Sequence, residues 1–416
     1  MKHNRRILEL RKLILIILIL ISGLSLNECR DSEDIKMNTI VFENQFDDSD
    51  EIKELDALIK KFKDDYGINV VLSYYDSKEE PEKLFSLLRS QNPPDVIEFN
   101  SKLLAKAIDE SALTILDTAD YDLKNFYING LEVCTVNGKF YCLPWLINVY
   151  ALFVNPDILK ENGIHNYSIN TVNELIDNCE RIEEEGKYYG CGAVASDWNN
   201  LFKVLLPFFW FYGGDLTGTN GTVSINSSNN IKALYSYVML ARTGLADTQR
   251  ELESQFLNGK SAYCFAPLSF GFRINSEKPA INYLITGFPQ DNNKGFIYSD
   301  INCLAINSHS KKYQICKKFV NYLVQWKKTK AYVESFINQG LPAVKVPDFS
   351  NSPLLKFYNE QINKARTFSY HPYFYNIEKM TATDVDKVVY AEISPEEALN
   401  DAQQKVLNFM KTLKKK

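Results

Sequence analysis

The sequence predicts an α/β fold built on a sheet with parallel strands. Over residues 39–109, short runs rich in Val, Ile and Phe alternate with amphipathic stretches at helical spacing. Strand–helix alternation of that kind means βαβ units. The chain has 416 residues, 45% of them hydrophobic and 24% charged. That balance is too apolar for a disordered chain and too charged for a polytopic membrane protein. At roughly 100–200 residues per domain, the length suggests two or three domains.

The elements follow in order. Thr39–Phe42 is a strand. A helix begins at Asp48-Ser49-Asp50-Glu51, where Asp48 and Glu51 have capping-box spacing. Its stripe is Ile52, Leu55, Leu58, Ile59, Phe62 and Tyr66, and Gly67 stops it. Ile68–Tyr75 is a strand, residues 80–91 a helix broken by Pro93-Pro94, Asp95–Phe99 a third strand, and Leu103–Asp109 a helix. A hairpin turns at Asn137-Gly138 between Val133–Val136 and Lys139–Leu143, and Pro144 ends it. Tyr150–Val154 is a strand, and Asn155-Pro156-Asp157 caps a helix that closes at Gly163. Helices follow from Thr171, over Trp198–Tyr212 up to Gly213-Gly214, over Ser228–Arg242, and over Leu252–Gly259. Ser261–Phe265 and Cys303–Ile306 are strands. Tyr313–Trp326 is an amphipathic helix with Trp326 in its core stripe. The last helix has Ser394 as N-cap, Pro395 at the first position and Glu397 at the third.

The N-terminus reads as a targeting signal. Five cations and two acids in residues 1–28 precede or flank the uncharged run Leu13–Asn27. Fifteen residues span about 22 Å as a helix, short of a ~30 Å hydrocarbon core. A basic stretch before a short apolar run marks an export signal, here residues 1–28. With net charge −5 overall and +3 in the leader, the body carries −8. An acidic body argues against nucleic acid as the partner.

Seven cysteines lie beyond Cys29, with no C-x-x-C among them, and only four histidines occur. Neither a zinc ribbon nor a His-rich metal site is indicated, and no cofactor is called for. The Asn137-Gly138 turn sets Cys134 opposite Tyr141, one residue out of register for a cross-strand bridge to Cys142. The G-x-S-x-G, G-x-G-x-x-G, P-loop and H-E-x-x-H patterns are absent. One S-x-x-K string, Ser308–Lys311, sits in a loop before a helix and lacks the framing motifs of a nucleophile–base pair. Nothing in the sequence supports an enzyme.

The segments FKDDYGINVVL, NPPDVIEF, NGKFYCLPWLINVYALFVNPDILKENGI, FYGGDL, FLNGKSAYCFAP, GLPA and SPEEALNDAQQKV occur in this order over residues 39–413. Together they resemble the extracellular solute-binding proteins of bacterial ABC importers, specifically the family of maltose-type sugar binders. The resemblance implies a two-lobed periplasmic-binding-protein-like (type II) α/β fold with a hinge and an interlobe ligand cleft. One lobe would hold 38–147 and 301–345, the other 148–300 and 346–413. It further implies a carbohydrate ligand, an oligosaccharide in size, delivered unaltered to the permease subunits by a monomer. Cys29 resembles the lipid-attachment residue of a bacterial lipoprotein. Leu26 suits that pattern, Asn27 and Glu28 are larger than it expects, and Gly23 and Ser25 would serve ordinary cleavage. The same fold could instead bind a polyamine, peptide or phosphodiester, or present its ligand to a membrane kinase.

A pyranose needs rings for its C–H faces and polar side chains for its hydroxyls. The resemblance places ligand contacts in loops after strands and near the crossing. Those positions are Glu43, Asn44, Asn100, Trp145, Trp198, Trp210, Asp215, Phe270, Arg273, Tyr298, Asp300 and Tyr373.

Overall fold

The computed structural model describes residues 38–46, 49–75, 81–218, 221–278, 280–289, 296–325, 336, 339–345, 352–368 and 370–413. The expected export signal, Cys29, the Asp48 cap and Trp326 lie outside the described residues. Among the described residues no helix is long and apolar enough to cross a membrane.

The strands are β1 (Thr39–Asn44), β2 (Asn69–Tyr74), β3 (Val96–Asn100), β4 (Thr135–Val136), β5 (Lys139–Phe140), β6 (Leu143–Val154), β7 (Tyr189–Cys191), β8 (Ala193–Val194), β9 (Ala246–Asp247), β10 (Ser261–Pro267), β11 (Leu284–Thr286), β12 (Ser299–Ile306) and β13 (Leu341–Pro342). The main sheet runs β2-β1-β3-β12-β6-β10-β7, with β11 and β13 also paired to β6. β1 is parallel to both β2 and β3, as the βαβ reading requires. β12 runs antiparallel to β3 and β6, so the sheet is mixed.

The helices obey their local signals. Gly67, Gly163 and Gly213 take positive φ at helix ends, where a Cβ would be strained. Asn155 accepts from the Asp157 and Ile158 amides, and Thr171 from the Glu174 amide. Ser394 and Glu397 cap each other reciprocally. The hairpin turns at Asn137 and Gly138, both at positive φ, and pairs Thr135 with Phe140. The Tyr141 amide donates to the Cys134 carbonyl, which keeps Cys142 out of register with Cys134. All seven cysteines from Cys134 to Cys316 are buried, and none is bridged.

Several expectations need correction. Pro144 does not end a strand but lies near the start of β6, opposite Cys303. The register shifts there, because Leu146 pairs with Asn302 and Trp145 is skipped. A proline lacks the N–H for a regular ladder and is tolerated at such a bulge. Ser269–Glu277 is a helix where a loop was expected, so Phe270 and Arg273 are helical. Ile128–Val133 is a short helix and takes Val133 out of the hairpin. Helices Pro353–Gln361 and Phe374–Val389 fall where no element was expected.

β6 is the trunk of the molecule. Its first half pairs with β12 and β13, and its second half, from Tyr150, pairs with β10 and β11. All of its residues but Asn148 are buried, which is why it reads as a continuous apolar run. A second and a third stretch of chain pass the same neck. The Tyr150 amide donates to the Tyr298 carbonyl, and the Ser299 amide donates to the Arg366 carbonyl. The β1–β3 end and the β7–β10–β11 end therefore form two lobes joined by hydrogen-bonded strands.

Gly340 adopts φ +133°, and a Cβ there would lie 2.7 Å from the backbone of Ile147 in β6. Gly340→Ala is expected to cost at least about 1 kcal/mol through strain at this neck. Thermal unfolding checks it: an unchanged melting temperature would contradict the close approach.

Candidate functional site

The carboxyl ends of β1, β2 and β3 deliver Gln45, Tyr75 and Asn100 to one rim of a large cleft. A crevice beyond the carboxyl ends of parallel strands is where open α/β sheets bind ligands. β6 and β12 form the floor. Asn148 and Tyr150 alternate on β6, and Asp300 and Asn302 on β12, so each pair faces the same side. Asn148 lies directly opposite Asp300. The second lobe supplies three helix faces. Asn199, Asn200 and Lys203 come from the start of helix Trp198–Phe211, and Gln249, Arg250 and Glu253 from helix Gln249–Leu257. Phe272, Arg273, Ser276 and Glu277 come from helix Ser269–Glu277, each set at one-turn spacing. Tyr375, Gln339, Lys83 and Lys102 complete the main walls. The cavity holds about 940 Å³, near the top of the ~300–1,000 Å³ range of small-molecule sites.

The carboxylates that line the cleft are paired. Lys203 Nζ sits 2.8 Å from Asp300, whose other oxygen accepts from Asn100 at 2.6 Å. Burial by itself would raise the Asp300 pKa. The Lys203 and Lys102 cations and the hydrogen bonds from Asn100 and Lys203 outweigh it and hold the carboxyl at about 2. Burial pulls Lys203 down, yet the Asp300 carboxylate keeps it above the usual lysine value. Lys102 reaches Glu378 at 2.9 Å on the helix Phe374–Val389. Arg273 bridges Glu253 and Glu277, each at 3.0 Å. Gln249 donates to Glu253 and to the Phe265 carbonyl.

Behind the rim lies Glu98, fully buried. Its carboxyl accepts from the backbone and side chain of Gln45, and the Tyr75 hydroxyl donates to its backbone carbonyl. Burial pushes its pKa up to about 8, despite the Gln45 hydrogen bonds that lower it. Glu98 thus orients two cleft residues, Gln45 through its carboxyl and Tyr75 through its backbone carbonyl.

The cleft takes in three of the residues selected from sequence: Asn100, Arg273 and Asp300. The others are placed elsewhere. Trp145 is fully buried, stacked on Phe46 at 5.3 Å and set against Phe42 and Phe336. Its ring is enclosed by these aromatic neighbours on the face of the sheet. Phe270 packs on Phe153 and Phe256. Tyr298 packs between Tyr150 and Trp210. Trp210 donates to Asp215, which also pairs with Arg366 at 2.7 Å, away from the cleft lining. Glu43 and Asn44 are buried; Asn44 accepts from the Phe46 amide, and burial raises Glu43. Tyr373 packs against Phe409. Trp198 stands behind the wall, with its ring edge-on to Tyr375 at 5.1 Å.

Four of the displaced choices differ from a cleft residue by phase alone. Gln45 follows Asn44, Asn199 follows Trp198, Phe272 lies two beyond Phe270, and Tyr375 two beyond Tyr373. The residue neighbourhoods were legible, but which side chain faced the crevice was not. Only the extent of each helix and strand sets that. Asn148, Lys203, Gln249 and Glu253 carried no separate signal.

A family model described as bacterial extracellular solute-binding protein matches residues 57–355. The chain belongs to that family. Its family is one of substrate-binding transport proteins, which act outside the cytoplasm. Among relatives, a putative binding protein of Brucella abortus (strain 2308) is 21% identical over 291 residues, covering 68% of this chain and 70% of its own. The sugar-binding protein MalE of Xanthomonas citri superposes with a TM-score of 0.75 at 19% identity, covering 90% of this chain and 98% of its own. The GacH receptor of Streptomyces glaucescens, solved unliganded and with acarbose, has a TM-score of 0.74 at 20% identity over 90% and 98% of the two chains. These likenesses establish the two-lobed fold of the solute-binding protein.

Because Glu98 titrates higher folded than unfolded, its protonated form favours the folded state. The stability it contributes is fully present below the unfolded value of 4.5 and is lost as pH rises through about 8. Stability is expected to fall between pH 5 and 9, and Glu98→Gln to flatten that slope and melt higher than wild type at pH 9. Parallel pH–melting curves for the two proteins would exclude this role.

Proposed function

We propose that this protein is the substrate-binding component of an ABC importer and takes a carbohydrate, an oligosaccharide in size, between its lobes. The lining of the cleft carries this reading. Eight carboxamides face the cavity: Gln45, Asn100, Asn148, Asn199, Asn200, Gln249, Asn302 and Gln339. A carboxamide carries both donors and an acceptor, which suits hydroxyls that do both, and those of Gln45, Asn100 and Gln249 are held in place by bonds to Glu98, Asp300 and Glu253. Tyr75, Tyr150, Phe272 and Tyr375 supply rings for the apolar faces of a sugar. About 940 Å³ is more room than one pyranose needs.

The pairing of charges supports the same reading over its rivals. A polyamine needs unpaired carboxylates, whereas Asp300 is matched by Lys203 and Glu253 by Arg273. Among the described residues, the three carboxylates that line the cleft, Glu253, Glu277 and Asp300, are all held in ion pairs. The acarbose complex of the GacH receptor, on the same fold, adds weight.

In this reading, residues 38–147 with 301–345 form one lobe and 148–300 with 346–413 the other, hinged where β6 and β12 cross. A ligand favours the closed arrangement only through contacts it makes with both lobes at once. Asn100 and Tyr75 would act from one side, Asn199, Phe272 and Tyr375 from the other. The closed, loaded monomer then docks on the permease subunits. The leader exports the chain, and a lipid on Cys29 holds it at the membrane face.

A thermal-shift screen tests the ligand class. A cognate oligosaccharide at 100-fold excess over Kd should add about 2.7 kcal/mol of stability. Silence across mono- and oligosaccharides, with a response to amines, would overturn the assignment. Tyr375→Ala and Phe272→Ala should each weaken binding by about tenfold, or about 1.4 kcal/mol, with the melting transition retained. Replacing Cys29 by Ser should release the protein from membranes; unchanged fractionation would count against the lipid.

A further inference from the structure

We propose that Cys134, Cys142 and Cys303 form a binding site for trivalent arsenic or antimony, held by three sulfurs within the first lobe. Cys134 caps the helix Ile128–Val133, Cys142 directly precedes β6, and Cys303 lies within β12. All three are fully buried and unbridged. Their sulfurs lie within 4.8 Å of one another, with Cys134 and Cys303 3.7 Å apart. An ion centred among three sulfurs at ~2.3 Å holds them about 4 Å apart. The triangle is therefore close to the size a trigonal site needs.

Charge selects the occupant. Cys134, Cys142 and Cys303 are all fully enclosed, so water does not screen a charge left on the cluster. Three thiolates around a divalent cation would carry a net −1, and around a monovalent one −2. An uncompensated charge in such a place costs several kcal/mol. A trivalent centre leaves no net charge. Arsenous acid reacts with three thiols to give the tris-thiolate and three waters. Three As–O and three S–H bonds break, three As–S and three O–H bonds form, and no electrons or protons are left over. No oxidant is required.

Access comes through the hairpin. β4 and β5 form a ladder of only two residue pairs, which can open locally. The site also touches the floor of the cleft through the chain, since Cys303 follows Asn302 and Cys142 stands six residues before Asn148. An occupied site ties the hairpin to the strands that carry those two side chains.

The test uses the reduced protein and arsenite. After gel filtration, one arsenic per chain is expected, with three sulfur neighbours by X-ray absorption. Cys134→Ala, Cys142→Ala and Cys303→Ala should each weaken retention at least tenfold, while Cys316→Ala, a buried cysteine outside the cluster, keeps it. Near-UV circular dichroism confirms that the variants remain folded. If one does not fold, the sulfur count in the wild-type protein decides. Two-sulfur coordination, retention in folded Cys134→Ala, or a disulfide joining any two of the three in the protein recovered after export would overturn the proposal.

Discussion

The backbone hydrogen bonding of β6 constrains everything else in the molecule. This one strand pairs with β12 and β13 through its first half and with β10 and β11 through its second. Both lobes are thus built on a shared element, and neither can shift its sheet without moving the other's floor. The neck is tightened further by the Tyr150–Tyr298 and Ser299–Arg366 hydrogen bonds. Asn148, Tyr150 and Asp300 lie on these paired strands themselves, and the pairing holds their positions relative to one another.

Polar groups on that floor have been taken out of water before any ligand arrives, which is favourable only if they are already matched. Asp300 is met by Lys203 and Asn100, and Glu253 by Arg273 and Gln249. Such matching keeps both carboxylates oriented at little cost to the fold, and it fixes the amides of Asn100 and Gln249 along with them. Glu98 extends the principle one layer deeper. It is buried where its charge is disfavoured, and that placement holds Gln45 at the rim. The site's geometry and its pH behaviour therefore share one physical origin.

The three central cysteines illustrate how distant sequence positions become one chemical group. Cys134 and Cys303 are 169 residues apart, yet their sulfurs lie 3.7 Å apart. No motif spacing anticipates that contact, because it is made by the return of β12 alongside β6. The hairpin register read from Asn137-Gly138 correctly kept Cys134 and Cys142 from facing each other across the ladder, but it could not bring the third thiol to them.

The sequence by itself determined the βαβ opening, most helix ends and their caps, the hairpin turn and the order of family segments. Each of these is local: a capping side chain reaches two or three residues, a glycine adopts positive φ where it stands, and an apolar period declares a buried face. Only the tertiary structure decided which side chains reach the cleft. Trp145 and Phe270 have the composition of sugar-stacking rings, yet they are core, while Phe272 and Tyr375, two residues beyond sequence choices, face the cavity. A shift of one or two residues turns a side chain to the other face of a helix or strand. That phase is fixed by pairing across β6, by the bulge at Trp145 and by the helix at Ser269–Glu277, which depend on contacts between residues far apart in the chain.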